Sequence, residues 1–256
     1  MKQDHSIELQ PLADVRIYKG MKLFAKTAAA ALLILAAGTG GQARPWQAAG
    51  RGEIEPVLAR MEAAGKGFRS FEAKLVQKKY TAALEEFDAP ESGRFVYALA
   101  ADGTALLRQE IEQPAPRILT IKGGVATVYQ PRLRLAQVVS LGKNKDKAEY
   151  LALGLGQSPA RLRETFEIAY RGAEKVGGAE CDVLVLKPKS AGASAYFSSI
   201  TLWIGKSDGL PLQQKLQEPS GDYLLVTFSE ARLNRRIPPA EFEQKLPKGV
   251  EIQRIQ

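Results

Sequence analysis

Very few side chains in this sequence could carry catalysis or bind a metal ion. The 256 residues include one histidine, His5, and one cysteine, Cys181. His5 precedes the segment that is predicted to be cleaved, so the exported chain would have no histidine to activate a nucleophile. A zinc site built from histidine and cysteine needs three or four such ligands. A single cysteine also excludes an internal disulfide. We therefore expect no metal site and no cofactor.

Two carboxylates are the remaining candidates for acid–base chemistry. Glu110 and Glu112 lie two positions apart in a predicted strand, so they share one face at a distance of about 7 Å. Paired carboxylates hydrolyse glycosidic bonds in many enzymes. No other residue pattern in the sequence marks a substrate cleft around this pair, so we do not expect an enzyme.

Residues 21–43 have the pattern of a secretory signal peptide. A basic start is followed by an apolar run over 28–37 and by small residues that allow cleavage after Ala43. The run is shorter than the roughly 17–25 residues that span a bilayer, although an uncleaved anchor is the alternative. Residues 1–20 form an uncertain N-terminal extension or follow from a mis-chosen start. We expect the exported domain to comprise 44–256.

The charge of the chain bears on its partners. The formal net charge is +8, and the exported part also stays basic. An excess of positive charge favours binding to an anionic lipid surface, or it belongs to a solvated surface that has no partner. The sequence has no dense basic stripe and no aromatic RNA-binding motif, so we do not expect nucleic-acid binding.

The periodicity of apolar residues predicts one N-terminal helix and a long series of strands. The helix covers 53–66, where apolar residues recur at helical spacing and glycines follow. A second helical region interrupts the strands at 143–164, where Ser158 is the predicted N-cap and Pro159 the first helical residue. The eleven predicted strands cover 71–78, 94–99, 105–113, 117–122, 125–130, 133–141, 166–170, 181–187, 198–204, 210–217 and 222–232.

Short turns join most of these strands, which is typical of an antiparallel meander. The fold class is therefore mainly β (α+β), as a single domain whose sheet curls or closes into a barrel. Runs such as 183–186 and 223–226 are apolar on both faces and need cover on both sides. The interior is then either a filled core or a ligand cavity, and the residues alone leave this choice open.

Several stretches along the chain together resemble one family. The segment 71–77 is similar to a Phe-x-Ala-x-Phe-x-Gln strand, and 108–114 is similar to an Arg-Trp-Glu-Tyr-x-x-Pro strand. Tyr129-Gln130-Pro131 follows in place of Tyr-Asp-Pro, and the ending at 234–250 matches Asn…Phe…Pro-x-Gly-Val. The sequence thus resembles the LolA family, periplasmic carriers of lipoproteins between the inner and outer membranes.

The resemblance implies an incomplete antiparallel β-barrel of eleven strands, with an N-terminal helix and inserted lid helices over an apolar cavity for acyl chains. It implies a monomer in the periplasm that receives acylated lipoproteins from an inner-membrane release complex and delivers them to an outer-membrane acceptor. Several positions depart from the family pattern. Leu99 stands where an arginine helps to hold the lid shut, and Gln109 replaces the tryptophan.

On this basis we predict residues of the acyl-chain cavity from their strand position and bulk. For each of them, core packing is an equally good interpretation. Arg108 is a candidate lid contact, and a surface salt bridge with a neighbouring glutamate is its alternative role. A carrier or a sensor for another amphiphile, such as a glycolipid or an isoprenoid, is the alternative function. The predicted cavity residues are Phe95, Tyr97, Ile111, Tyr129, Trp203, Leu225 and Phe228.

Overall fold

The computed structural model of the chain describes residues 51–141 and 150–255. The predicted N-terminal extension at 1–20 and the predicted signal peptide at 21–43 lie outside the described residues, as does the charged stretch 143–149.

The predicted N-terminal helix is present as α1, Arg51–Gly65. Its apolar face is buried through Val57, Leu58 and Met61, each at most 3% exposed. Pro56 is the sixth residue of the helix and lies beyond its first turn, so the helix lacks one backbone hydrogen bond there. Burial of each of these side chains contributes about 1.5–3 kcal/mol, so α1 is held mainly by packing on the sheet.

Thirteen strands form one sheet, and they include all eleven that the sequence predicts. The two additional strands are the two-residue β2 and the C-terminal β13, which are too short or too exposed to give a periodic signal. The strands are β1 Ser70–Thr81, β2 Glu86–Phe87, β3 Glu91–Leu99, β4 Ala105–Gln113, β5 Arg117–Lys122, β6 Val125–Gln130, β7 Leu135–Ser140, β8 Phe166–Val176, β9 Ala179–Pro188, β10 Ser199–Gly205, β11 Pro211–Gln217, β12 Tyr223–Leu233 and β13 Glu251–Ile255.

The sheet is open and curled, with the order β13-β7-β6-β5-β4-β3-β1-β12-β11-β10-β9-β8, and β2 pairs with β1 beside this path. All pairs are antiparallel except that of β13 with β7. The first strand closes on β12, so residues from the two halves of the chain meet at the centre of the sheet. This architecture confirms the predicted mainly β fold with an incomplete barrel.

The two faces of the sheet differ in what covers them. On β1, Phe71 and Leu75 are buried, whereas Lys74 and Val76 on the other face are exposed. We call the face that carries Phe71 and Leu75 the inner face, because α1 packs against it. The opposite side is the outer face.

Part of the inserted region also packs on the inner face. The methyl group of Met61 in α1, Leu202 of β10 and Pro211 of β11 all lie beside Gly154. The side chain of Gln214 donates a hydrogen bond of 2.7 Å to the carbonyl of Leu153. These contacts place residues 150–156 between α1 and the strands β10 and β11.

The predicted start of the second helix is confirmed. Helix α2 spans Pro159–Thr165, and the Oγ of Ser158 accepts a hydrogen bond of 3.3 Å from the backbone N–H of Arg161. A one-turn helix, α3, spans Ala191–Ser194 next to β9. Two 3-10 helices, Pro131–Leu133 and Pro239–Phe242, follow β6 and precede β13, respectively.

The C-terminal segment covers part of the outer face. Phe242, in the second 3-10 helix, is 2% exposed and packs with Val96 and Ala98 of β3. Leu106 of β4 and Ile237 adjoin this cluster. The small outer core explains why β3 is buried on both faces, as the apolar run in its sequence requires.

Chemical labelling of the single thiol tests how tightly β9 is packed. Cys181 is fully buried, and burial raises the pKa of its thiol, so little reactive thiolate forms at neutral pH. We expect a maleimide to modify Cys181 on the order of 100-fold more slowly in the folded protein than in denaturant. Similar rates in the two states would show that β9 does not hold this residue inside.

Candidate functional site

An aromatic cluster occupies the centre of the inner face. The ring centroid of Phe228 lies 5.5 Å from that of Phe71 and 5.3 Å from that of Phe95. Phe71 and Phe95 meet edge to face at 6.2 Å. These rings come from β12, β1 and β3, so the pairing of distant parts of the chain creates the cluster. Such a surface is complementary to hydrocarbon and offers it no hydrogen bonds.

Four of the predicted cavity residues lie on the inner face. The strand register places Phe95 opposite Ala73 and Phe228 opposite Leu75, which are both buried. Tyr97 pairs with Phe71, and its ring lies 5.8 Å from that of Phe68. Ile111, on β4, is on the same face and 2% exposed. The structure therefore brings Phe95, Tyr97, Ile111 and Phe228 together.

The other three predicted cavity residues lie on the outer face. Trp203 is half-buried, and its indole N–H donates a hydrogen bond of 2.7 Å to Glu174. Its neighbours Leu202 and Ile204 are the fully buried, inward-facing residues of β10. Leu225 pairs with the half-buried Lys215, away from the aromatic cluster. These strands carry apolar residues on both faces, so the sequence does not tell which face points inward.

Tyr129 also lies on the outer face. It pairs with Ile118 and Ala136 and lines a cleft of about 700 Å³ between the sheet and the C-terminal segment. The rim of this cleft carries charged groups of both signs, among them Arg94 and Glu241, which form a salt bridge. The structure does not bring Tyr129 to the aromatic cluster.

Arg108 lies on the outer face beside the same cleft. Its Nε donates a hydrogen bond of 2.6 Å to Glu110, which is the salt bridge given as its alternative role. Its Nη1 donates to the carbonyl of Glu241 at 3.2 Å. These bonds run within β4 and to the 3-10 helix on the outer face. Leu99 lies at the end of β3 and is 36% exposed.

A polar chain crosses the inner face next to the aromatic cluster. Arg117 binds Glu91 through two hydrogen bonds of 2.5 and 2.6 Å. Gln77 donates to Glu91 at 2.6 Å, and Gln109 donates to Gln77 at 2.8 Å. Both glutamines are buried. The sequence analysis missed this chain, because its members come from four separate strands.

A second polar group connects α1 to the sheet. Asp182 of β9 is 5% exposed and faces inward, where it forms a salt bridge with Arg60 of α1. The hydroxyl of Tyr170 donates a hydrogen bond of 2.9 Å to the same carboxylate, and the ammonium of Lys206 lies 3.9 Å away. Burial and this hydrogen bond raise the pKa of Tyr170. We call Arg60, Asp182 and Tyr170 the α1 latch.

The latch is incompletely satisfied. The Nε of Arg60 is buried and has no hydrogen-bond partner. An unpaired donor of this kind costs about 1–3 kcal/mol. The latch therefore fixes the position of α1 and at the same time limits how strongly the helix is held. The latch was not predicted from the sequence, because Arg60 and Asp182 lie 122 positions apart.

A cavity of about 280 Å³ opens where α2 meets residues 150–157. Its wall includes the buried side chains of Tyr150, Leu162 and Phe166, and its rim includes Arg161 and Lys189. The rings of Tyr150 and Phe166 meet edge to face at 6.1 Å. This cavity lies next to the inserted region, and both apolar and polar side chains line it.

Across the described ranges, no group of three His, Cys, Asp or Glu side chains could hold a metal ion. No described helix is both long enough and apolar enough to cross a membrane. The fold and site define a class of protein in which helices cover the apolar inner face of a curled sheet.

A sequence comparison identifies the family within this class. The profile of the family described as "Outer membrane lipoprotein carrier protein LolA" matches residues 67–245. The chain belongs to the LolA family, as its motifs indicate.

Curated relatives carry the same description. An outer-membrane lipoprotein carrier protein of Chromobacterium violaceum is 27% identical over 224 residues, which cover 86% of this chain and 95% of that protein. A protein of the same name from Azotobacter vinelandii is 26% identical over 154 residues, or 60% of this chain and 69% of that protein.

Solved structures show similar folds at low sequence identity. MucB is 16% identical with a TM-score of 0.47, and the match covers 77% of this chain and 64% of MucB. A LolA superfamily protein from Nitrosomonas europaea is 13% identical with a TM-score of 0.36, covering 74% of this chain and 97% of that one. The chain thus spans slightly less than two thirds of the length of MucB.

Proposed function

We propose that the protein is a periplasmic carrier that binds the acyl chains of lipoproteins and moves them from the inner to the outer membrane. The observation that supports this best is the aromatic cluster of the inner face, together with membership of a family of lipoprotein carriers. In this proposal, acylated lipoproteins are received from an inner-membrane release complex and passed to an outer-membrane acceptor. The carrier acts as a monomer.

The energetics of hydrocarbon in water explain why such a carrier needs a covered apolar surface. Exposure of each methylene costs about 0.8 kcal/mol, so the acyl chains of one lipoprotein cost on the order of tens of kcal/mol in water. A cargo of this kind cannot cross an aqueous space unaided. In the proposed mechanism, acyl chains displace α1 and residues 150–156, which we call the cover, from the inner face. Burial of the acyl chains then offsets the contacts that the cover loses.

We propose that Phe95, Tyr97, Ile111 and Phe228 contact the acyl chains, because these four face inward. Strands β3, β4 and β12 carry these side chains to one face of the sheet, with β1 between β3 and β12. The outward placement of Tyr129, Trp203 and Leu225 gives them no such role in this mechanism.

The α1 latch takes the place of the lid contact in this proposal. Release of cargo requires that the cover return to the inner face, and binding requires that it leave. The salt bridge of Arg60 with Asp182 favours the covered state, while the unpaired Nε of Arg60 limits that preference. The affinity for cargo then depends on the balance between the two states.

Mass spectrometry of the bound material tests this function. The protein is purified from the periplasm of cells that express the full sequence, and organic extracts of it are analysed. The proposal predicts co-purified acylated peptides. Free glycolipid or isoprenoid without acylated peptide would favour a carrier of another amphiphile, and an empty protein would contradict both functions.

A further inference from the structure

One turn of the sheet presents an isolated apolar side chain among basic ones. Leu133 ends the 3-10 helix Pro131–Leu133 between β6 and β7 and is 66% exposed. Arg132 and Arg134 flank it in the sequence, and both are exposed. Lys248, also exposed, lies in the neighbouring turn before β13. We call Arg132, Leu133, Arg134 and Lys248 the basic tip.

The basic tip is a fixed structure that two turns share. Arg134 has a φ of 50°, and its N–H donates a hydrogen bond of 3.1 Å to the carbonyl of Pro131. Its guanidinium donates to the carbonyl of Lys248 at 3.0 Å, and its own carbonyl accepts a bond of 2.8 Å from the N–H of Glu251. Leu133 is therefore already held outward, and little conformational entropy is lost when it contacts a partner.

The cations of the tip are available for a partner. Within residues 51–141 and 150–255, Arg132 and Lys248 form no salt bridge, and Arg134 binds only backbone groups. The adjacent carboxylate, Glu251, accepts a hydrogen bond from Gln253. An apolar side chain surrounded by unpaired cations is complementary to the surface of an anionic membrane, where phosphates lie directly above hydrocarbon.

A second exposed leucine has the opposite surroundings. Leu84, in the turn between β1 and β2, is 64% exposed, which is almost the same as Leu133. Its neighbours Glu85, Glu86 and Asp88 are all acidic and exposed. Exposed leucines are common on protein surfaces, so exposure alone carries no meaning. The charge around the leucine distinguishes the two turns.

We propose that the basic tip docks the protein on anionic membrane surfaces. Leu133 enters the boundary between headgroups and acyl chains, while Arg132, Arg134 and Lys248 bind lipid phosphates. The tip lies at the ends of β6 and β7 and includes no residue of the aromatic cluster. Docking therefore needs no cargo. The proposal goes beyond the carrier function, because it assigns a surface through which the protein binds its membranes.

Co-sedimentation with vesicles tests the tip. The wild-type protein is expected to bind vesicles of phosphatidylcholine mixed with phosphatidylglycerol, and to bind pure phosphatidylcholine vesicles at least tenfold more weakly. Each basic residue near such a surface contributes about 1 kcal/mol, so Arg132→Ser and Lys248→Ser should each weaken binding about fivefold. Leu133→Ser should weaken it at least fivefold, and added salt should reduce binding by the wild type.

Leu84→Ser is the matched control, since it removes an equally exposed leucine from acidic surroundings. It should bind vesicles as the wild type does. Equal binding by Leu133→Ser and the wild type, or equal losses in the two leucine variants, would overturn the proposal. All variants carry the same N-terminal residues, so these cannot produce the difference.

A further variant separates docking from the carrier function. Phe228→Ser alters the inner face and should leave vesicle binding unchanged while it weakens acyl-chain binding. Leu133→Ser should weaken vesicle binding and leave acyl-chain binding unchanged. Loss of vesicle binding in Phe228→Ser alone would mean that the inner face, and not the tip, holds the membrane, and the docking proposal would fail.

Discussion

Replacement of Phe228 by serine is expected to weaken the binding of a fluorescent acyl probe by about 10- to 100-fold. The ring contacts Phe71 and Phe95 at the centre of the inner face, and a buried phenyl group contributes about 1.5–3 kcal/mol to apolar contacts. Leu225→Ser, three residues away on the same strand, is the control. Its side chain faces outward, so the affinity should stay within about twofold of the wild type.

The measurement is a titration of the probe by fluorescence, after circular dichroism has confirmed that each variant is folded. Removal of a buried phenylalanine costs about 3–5 kcal/mol of stability, so Phe228→Leu serves as a second variant that keeps the site apolar. It should retain binding within about fivefold. Equal affinities in folded Phe228→Ser and Leu225→Ser would contradict the assignment of the inner face as the acyl site.

Replacement of Asp182 by alanine is expected to lower the free energy of unfolding by about 2 kcal/mol and to loosen α1. Loss of one partner of a fully buried ion pair costs about 3–5 kcal/mol, and Arg60 is 32% exposed, so solvent screening reduces the effect. Since the cover then leaves the inner face more often, the acyl probe should bind up to about 30-fold more tightly.

Hydrogen exchange measures this loosening directly. Amides of α1 should exchange faster in Asp182→Ala, while those of β1 and β12 remain protected. Tyr170→Phe, which removes one hydrogen bond to Asp182, should have a smaller effect of about 1 kcal/mol. Glu180 lies on the same strand as Asp182 and forms an exposed ion pair with Lys175 of β8. Glu180→Ala breaks this pair and should change neither exchange nor affinity. Unchanged exchange of α1 in Asp182→Ala would exclude the latch.

Local patterns in the sequence were sufficient to predict most of the fold. Glycine-containing turns and alternating residues marked eleven strands, and the cap at Ser158 marked α2. These patterns arise from a few neighbouring residues, so they can be recognised without knowledge of the tertiary structure. The short β2 and the exposed β13 depend on pairing with β1 and β7, which no local pattern reveals.

The candidate site was predictable only in part. Of the predicted cavity residues, Phe95 and Phe228 lie on the inner face. Trp203 lies on the outer face of a strand that carries apolar residues on both faces. Alternation defines two faces of a strand and does not identify the one that helices cover. The α1 latch joins residues far apart in the chain, and only the folded sheet brings Arg60 to Asp182.

Photo-crosslinking with an acylated peptide that carries a diazirine on its acyl chain tests the central claim most directly. The peptide is bound to the protein, the sample is irradiated, and the modified residues are located by mass spectrometry. We predict modification of β1, β3 and β12 at their inward positions, including Phe95 and Phe228. Modification confined to outward residues such as Trp203 and Leu225, or none above that of a denatured control, would contradict the account.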